Sequence, residues 1–236
     1  MISMDVSLKV LCGILDTFAE SGKLFSNERQ FQLELAWELK EHGYTVLLEV
    51  MEKSKRKKYV DIVVELSPNE YVAIELKYTI RQKDMVYDVN GKCVRTFAQG
   101  NDDGRRYDFL YDFQRIEELI NQKTDAFSIA NAKVVKGFAI IMTNDNYWAT
   151  NGDSTNYRDV SLCEGREISG GVEMNLYSKG EVVRVPITLK RSYSCHWHDY
   201  ILSNTHISYL TEKGNSKEVE YSNYPFRYMI FEIKDN

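Results

Sequence analysis

Two runs of β-forming residues, Tyr59 to Leu66 and Tyr71 to Tyr78, flank a short turn around Pro68 and Asn69. Each carries charge among apolar neighbours. A turn this short makes an antiparallel hairpin, and a hairpin fixes register. With the turn centred on Pro68, Leu66 stands opposite Glu70 and Asp61 opposite Glu75, with thirteen residues between the last two. Opposite residues of an antiparallel pair project to one face. Glu75 and Lys77 are two apart and share that face. Two carboxylates and an ammonium therefore converge amid Val60, Ile62, Val63, Val64, Ile74 and Leu76. Charges placed there are costly unless they pair or bind something. Two adjacent carboxylates repel, and a divalent cation relieves the repulsion. Magnesium favours a few carboxylate oxygens completed by water and phosphate oxygens. It can position a water and neutralise charge on phosphorus. A lysine beside it stabilises that charge or helps deprotonate the water. The plainer account is a solvent-facing hairpin with an ordinary cross-strand salt bridge.

The surrounding pattern predicts an alternation of helices and strands. Asp5 can cap a first helix carrying Leu8, Leu11, Leu15 and Phe18, stopped by Gly22. Ser26 or Asn27 can cap a second, running to about Gly43 with Phe31, Leu35 and Leu39 as its stripe. Tyr44 to Met51 reads as a strand. Residues 80–104 read as a long polar loop, Arg105 to Asn121 as a helix, and Val134 to Met142 as a fully buried strand. Residues 144–171 read as a loop or insertion. Val182 to Leu189 and Phe226 to Ile233 read as strands, with Tyr193 to Glu220 open. The order implies a mixed sheet with helices on its faces.

Composition sets outer limits. At 236 residues, 43% hydrophobic and 28% charged, the chain has the make-up of a soluble globular protein. Its net charge of −5 excludes a protein that coats nucleic acid, so any such contact must be local. Four cysteines without CxxC spacing, no apolar run of membrane-spanning length and no visible signal peptide lead to the expectation of a reduced, cytoplasmic protein.

The hairpin, with Asn27-Glu28-Arg29-Gln30-Phe31-Gln32 upstream, resembles the PD-(D/E)xK nuclease superfamily, which includes restriction endonucleases and Holliday-junction resolvases. The resemblance covers residues 26–78, with Val60 where a proline commonly precedes the aspartate. It implies a restriction-endonuclease-like α/β core at residues 26 to about 145, with a central mixed sheet flanked by helices. Residues 146–236 would form a β-rich C-terminal extension of the same domain. It also implies metal binding by Asp61 and Glu75, with Mg²⁺ as cofactor and Mn²⁺ as a substitute, and a catalytic role for Lys77. The family often adds a glutamate from the upstream helix. At 100° per residue, Glu28 falls in the sector of Phe31, Gln32, Leu35 and Leu39, whereas Glu34 lies off it.

The expected function is thus metal-dependent endonucleolytic hydrolysis of DNA phosphodiesters, with restriction or defence as a setting by analogy. Cutting both strands would favour a homodimer. The basic run Lys53, Lys55, Arg56, Lys57 and Lys58 is the expected phosphate contact; a solvated loop guarding a strand edge is its bland equivalent. Asp108, Asp112 and Arg115, at i, i+4 and i+7, read as intrahelical pairs on an exposed face. His196 and His198 could share a strand face, but no second pair of zinc ligands has recognisable spacing, so the segment reads as a strand or turn with an aromatic anchor. Two other readings remain: an inactive nuclease fold that binds nucleic acid or protein, and an inhibitor, toxin or structural partner whose hairpin charges merely pair.

Overall fold

A computed structural model describes residues 5–53, 58–81, 84–97, 102–122, 124–150, 156–202, 205–210, 216–223 and 225–235. Helix α1 spans Leu8–Glu20 and α2 spans Glu28–Glu41. Ser7, rather than Asp5, caps α1 by accepting from Val10 N–H at 3.3 Å. Asn27 caps α2 by accepting from Gln30 N–H at 2.9 Å. Strands β1 (Thr45–Met51), β2 (Tyr59–Ser67) and β3 (Glu70–Thr79) follow as an antiparallel meander. At the β2–β3 turn Ser67, not Leu66, faces Glu70, because the ladder slips between Glu65 and Ser67. Asn69 takes φ 70°, a left-handed position that asparagine tolerates. The slip is absorbed as a bulge, and Glu65↔Tyr71 to Ile62↔Ile74 keep the expected register.

Residues 80–104 are not a loop throughout. They contain a hairpin, β4 (Met85–Val89) and β5 (Lys92–Thr96), joined by Asn90-Gly91 at φ 53° and 77°. Helix α3 (Asp102–Ile120) then crosses the sheet to β6 (Lys133–Thr143), which pairs parallel to β3. The central sheet has six strands in the order β1-β2-β3-β6, then Phe226–Lys234, then His198–Tyr200. Only β3 and β6 run parallel among these neighbours, so the sheet is mixed. Thr205–Leu210 and Ser216–Val219 join β4 and β5 in a second, four-stranded sheet. The expected strand from Val182 to Leu189 is instead two short pieces, Glu181–Val182 and Ile187–Thr188, on either side of Pro186. Proline cannot donate to a ladder, which accounts for the break.

Each face of the sheet has its own apolar core. On one, Phe18, Phe25, Phe31 and Leu35 from the α1–α2 region meet Ile62, Ile74, Tyr78 and Phe138. On the other, Phe109, Phe113 and Ile116 of α3 meet Val63, Ala73, Ala139, Ile141 and Phe231. The outer side of α3 is covered by the C-terminal extension. Thr188 N–H donates to Gln114, and Lys190 N–H and the Tyr193 hydroxyl both donate to the buried Glu117 carboxylate. Among the described residues, no helix is long and apolar enough to cross a membrane.

The height of α3 above the sheet is set at Gly137 of β6. A Cβ placed there would meet Ile116 Cγ2 at 2.0 Å, far inside contact distance. Gly137→Ala is expected to destabilise the protein by about 1–3 kcal/mol in chemical denaturation, as overpacking does in a close-packed core. Ile116→Ala combined with it should cost clearly less than the two single changes together. Strict additivity would remove Ile116 as the limiting contact.

A candidate active site where two strands part

The ladder between β2 and β3 stops at Ile62↔Ile74, and that between β1 and β2 omits Glu49↔Asp61. At Asp61 the middle strand therefore leaves β3, while its ladder with β1 skips one pair and resumes at Val50↔Val60. Glu49, across from it, sits at φ 51°, an uncommon conformation for a residue with a side chain. The backbone groups released by the parting are taken up by side chains. Leu76 N–H donates to Asp61 Oδ2 at 2.8 Å, and Tyr78 N–H donates to Glu28 Oε2 at 2.8 Å. Asp61 C=O accepts from Gln32 Nε2 at 2.7 Å, and the same amide nitrogen reaches Glu49 Oε1 at 3.0 Å. Glu28 and Gln32 lie one turn apart on α2 and so share a face. One helix face thus replaces the missing ladder on both strands.

The carboxylates are placed as a consequence of this repair. Extending the β2–β3 register by one residue brings Asp61 level with Glu75. Their carboxyl groups are near enough for the Asp61 charge to push Glu75 upward. Lys77 Nζ lies 3.7 Å from Glu28 Oε2 and 3.9 Å from Asp112 Oδ2. The sequence thus leads correctly to Asp61, Glu75, Lys77 and Glu28 as neighbours. Glu34, off the sector, pairs with Lys23 at 2.8 Å.

Helix α3 supplies groups that the sequence reading sent elsewhere. Asp112 and Arg115 do pair within the helix, but on the sheet-facing side, not on an exposed face. Arg115 is buried. Its Nε donates to Glu52 Oε1 at 2.8 Å, its Nη2 donates to Tyr59 C=O at 2.8 Å, and the same nitrogen lies 3.2 Å from Glu75 Oε1. That last contact is an ion pair without hydrogen-bond alignment, and Glu75 Oε1 has no hydrogen-bond partner. Helical periodicity could have flagged Arg115, since it lies three and four residues from Asp112 and Leu119, but an i, i+3 charge pair reads alike on either face. Asp108 pairs instead with Arg184 of the extension.

Electrostatics follow from the count. Glu28, Glu52, Asp61, Glu75 and Asp112 set five carboxylates against the two cations Lys77 and Arg115. Burial, aided by the Glu28 charge, pushes Asp61 up to about 6, from an ordinary value of 3.8, against the Leu76 N–H and Lys77. Burial pushes Glu75 well above the usual carboxylate range, joined by Asp61 and Asp112 and opposed by Arg115. Lys77 is raised as well, but here burial opposes the shift. Burial alone would discharge it, but Glu28, Asp112, Asp61 and Glu75 outweigh that and hold it above its ordinary value. Lys77 therefore stays an ammonium.

The donor set fits a divalent cation of the magnesium type. Among the described residues, no three histidine, cysteine, aspartate or glutamate side chains are gathered into a ready-made cage. Mg²⁺ and Mn²⁺ do not need one: two carboxylates, completed by water and substrate oxygens, suffice. Glu75 Oε1, buried and without a hydrogen-bond partner, and the excess of carboxylates supply what such an ion would engage.

The remaining candidates fall as follows. Lys55, Arg56 and Lys57 lie outside the described residues. Lys53 Nζ is 3.0 Å from Asp125 Oδ1, and Lys58 Nζ lies 5.3 Å from the Tyr111 ring centroid. The residues bounding the run, Glu52 and Tyr59, both touch Arg115, which brings its base beside the site. The two histidines are committed apart. His196 Nδ1 is 3.3 Å from Glu164, while His198 stacks on Tyr228, and Trp197 Nε1 donates to Leu162 C=O. The aromatic anchor expected there is present. No protein-family model matches the chain, and no curated protein matches it.

An acid whose value is raised by folding favours the folded state while protonated, and that stability is lost as pH rises from its unfolded value through its folded one. For Asp61 the window runs from 3.8 to about 6, worth on the order of 3 kcal/mol, with Glu75 acting in the same direction. In chelator, Asp61→Asn should leave stability near pH 4 little changed. At pH 8 it should raise it by roughly 1–3 kcal/mol, since the amide can still accept from Leu76 and can donate to Glu75. Denaturation curves at the two pH values measure this, and a destabilised variant at pH 8 would refute the assignment.

Proposed function

We propose that this chain is a metal-dependent endonuclease that hydrolyses phosphodiester bonds in DNA. The observation that carries the reading is the pair of adjacent carboxylates, half-buried Asp61 and buried Glu75, set at the parting of two strands with the Lys77 ammonium beside them. Asp61 and Glu75 would hold the ion. When bound, Mg²⁺, or Mn²⁺ in its place, supplies Lewis acidity toward the phosphate. Lys77, kept charged by four carboxylates, is suited to stabilise negative charge gathering on the phosphoryl oxygens and unsuited to take a proton from water. Glu28 fixes the end of β3 through Tyr78 N–H and holds the ammonium in place. The basic run would hold the substrate backbone.

A second reading is favoured by one specific observation. Arg115 already sets a guanidinium 3.2 Å from Glu75, as a self-sufficient ionic network would. On that reading the protein is an inactive nuclease fold that binds nucleic acid or protein.

Binding and chemistry separate the two. An interaction realised only in the transition state lowers turnover with little effect on affinity. Lys77→Ala should still bind DNA in Ca²⁺, which occupies such sites without supporting cutting, and should lose most cleavage in Mg²⁺. Asp61→Ala should lose cleavage and also weaken Mn²⁺ binding. Glu28→Gln should slow cutting by about tenfold or more, with Glu34→Gln nearly silent. Gel shifts in Ca²⁺ beside nicking of supercoiled plasmid in Mg²⁺ and Mn²⁺ read these out. Wild-type protein that neither cuts DNA or RNA nor binds Mn²⁺ would favour the inactive fold.

The basic run has its own test in salt. Replacing Lys55, Arg56 and Lys57 by alanine should flatten the salt dependence of DNA affinity by roughly one logarithmic unit of slope per lost phosphate contact. An unchanged slope would make the run a solvated loop.

A further inference from the structure

Arg115 is the most heavily engaged side chain of the site, and the proposed chemistry gives it no part. It is buried, and it contacts four separate segments. These are Glu52 just after β1, the Tyr59 carbonyl at the start of β2, Glu75 in β3 and Asp112 on its own helix. Holding a helix onto a sheet does not require such a group. A buried ion pair is a weak source of stability, because removing two charges from water offsets much of their attraction, and apolar side chains of similar volume do as well or better. The apolar face of α3, with Phe109, Phe113 and Ile116, already supplies that attachment. The arginine therefore calls for another reason to be there.

Its geometry gives one. Glu52 takes Nε and Nη2 together, which fixes the plane of the guanidinium. The Tyr59 carbonyl is a further acceptor for Nη2. Held in this way, the same nitrogen stands 3.2 Å from Glu75 Oε1, yet off the line of a hydrogen bond. The contact restrains the carboxylate by charge while leaving the lone pairs of Oε1 unused. Nη1 donates to Asp112 Oδ1, while the other oxygen of Asp112 faces Lys77. We infer that Arg115, locked by Glu52, is a positioning residue that holds Glu75 and Asp112 in the orientation the metal and the Lys77 ammonium require. This rests on the nuclease reading of the same site.

Arg115→Ala alone would leave Glu52 and Glu75 buried without their cation and is expected to lower the denaturation midpoint sharply, so it cannot separate misfolding from mispositioning. The informative variant is Glu52→Leu with Arg115→Leu. It removes one negative and one positive charge, so the net charge of the cluster is unchanged. Apolar replacement of a buried pair is expected to keep the fold. What is lost is the aimed guanidinium.

Mn²⁺ affinity by calorimetry, kcat and KM for DNA cleavage, and the denaturation midpoint are measured on wild type and double variant. The expected result is a midpoint near wild type, Mn²⁺ binding and kcat each weakened about 10- to 100-fold, and KM for DNA little altered. A double variant with wild-type Mn²⁺ affinity would overturn the proposal and make Arg115 a structural tie. Loss of stability in parallel with affinity would overturn it too. Should wild type bind Mn²⁺ without cutting, the affinity comparison still decides the role of Arg115 while the nuclease reading fails. Should wild type bind no Mn²⁺, Arg115 has no ligand to position and both fall.

Discussion

The parting of β2 from β3 beyond Ile62↔Ile74 is the constraint on which the site depends. A strand that leaves its neighbour exposes N–H and C=O groups, and buried groups of that kind must find partners. Here Asp61 and Glu28 accept from β3, and Gln32 donates to β2. The carboxylates are thus at the site because the backbone there needs acceptors, and the backbone needs acceptors because the strands diverge. Structural repair and chemical potential reside in the same atoms.

Much of this was legible beforehand, for definite reasons. The two-residue period of strands and the thirteen-residue spacing from Asp61 to Glu75 brought those residues level, even though the turn itself is bulged. Helical phase separated Glu28 from Glu34, because α2 packs on the sheet with the stripe that Phe31, Leu35 and Leu39 define. Order and type of the main elements followed from periodicity. The hairpin at Met85–Thr96 was missed despite Asn90-Gly91 between apolar flanks, the dipeptide best matched to a tight hairpin turn. Charged neighbours masked it.

What could not be read was tertiary. Glu52 precedes the basic run with nothing local to mark it as buried. Arg115 read as half of a surface pair, because its charged neighbour Asp112 masks what helical phase alone suggests. Arg115 is buried against segments distant in sequence, Glu52 after β1, the Tyr59 carbonyl of β2 and Glu75 of β3. Similarly, nothing local marks Gln32 as the partner of a carbonyl 29 residues away.

The strand Phe226–Lys234 has a consequence in time. It lies between β6 and His198–Tyr200, and Met229, Phe231 and Ile233 complete the core beneath α3. All the residues of the candidate site, from Glu28 to Arg115, leave the ribosome well before it. Pairing across so long a stretch of sequence is slow, since loop closure precedes any gain in contacts. Until that strand docks, α3 lacks part of the surface that presses it onto the sheet, and the acidic cluster stays hydrated and loosely held. The order of synthesis thus makes assembly of the candidate site a late event.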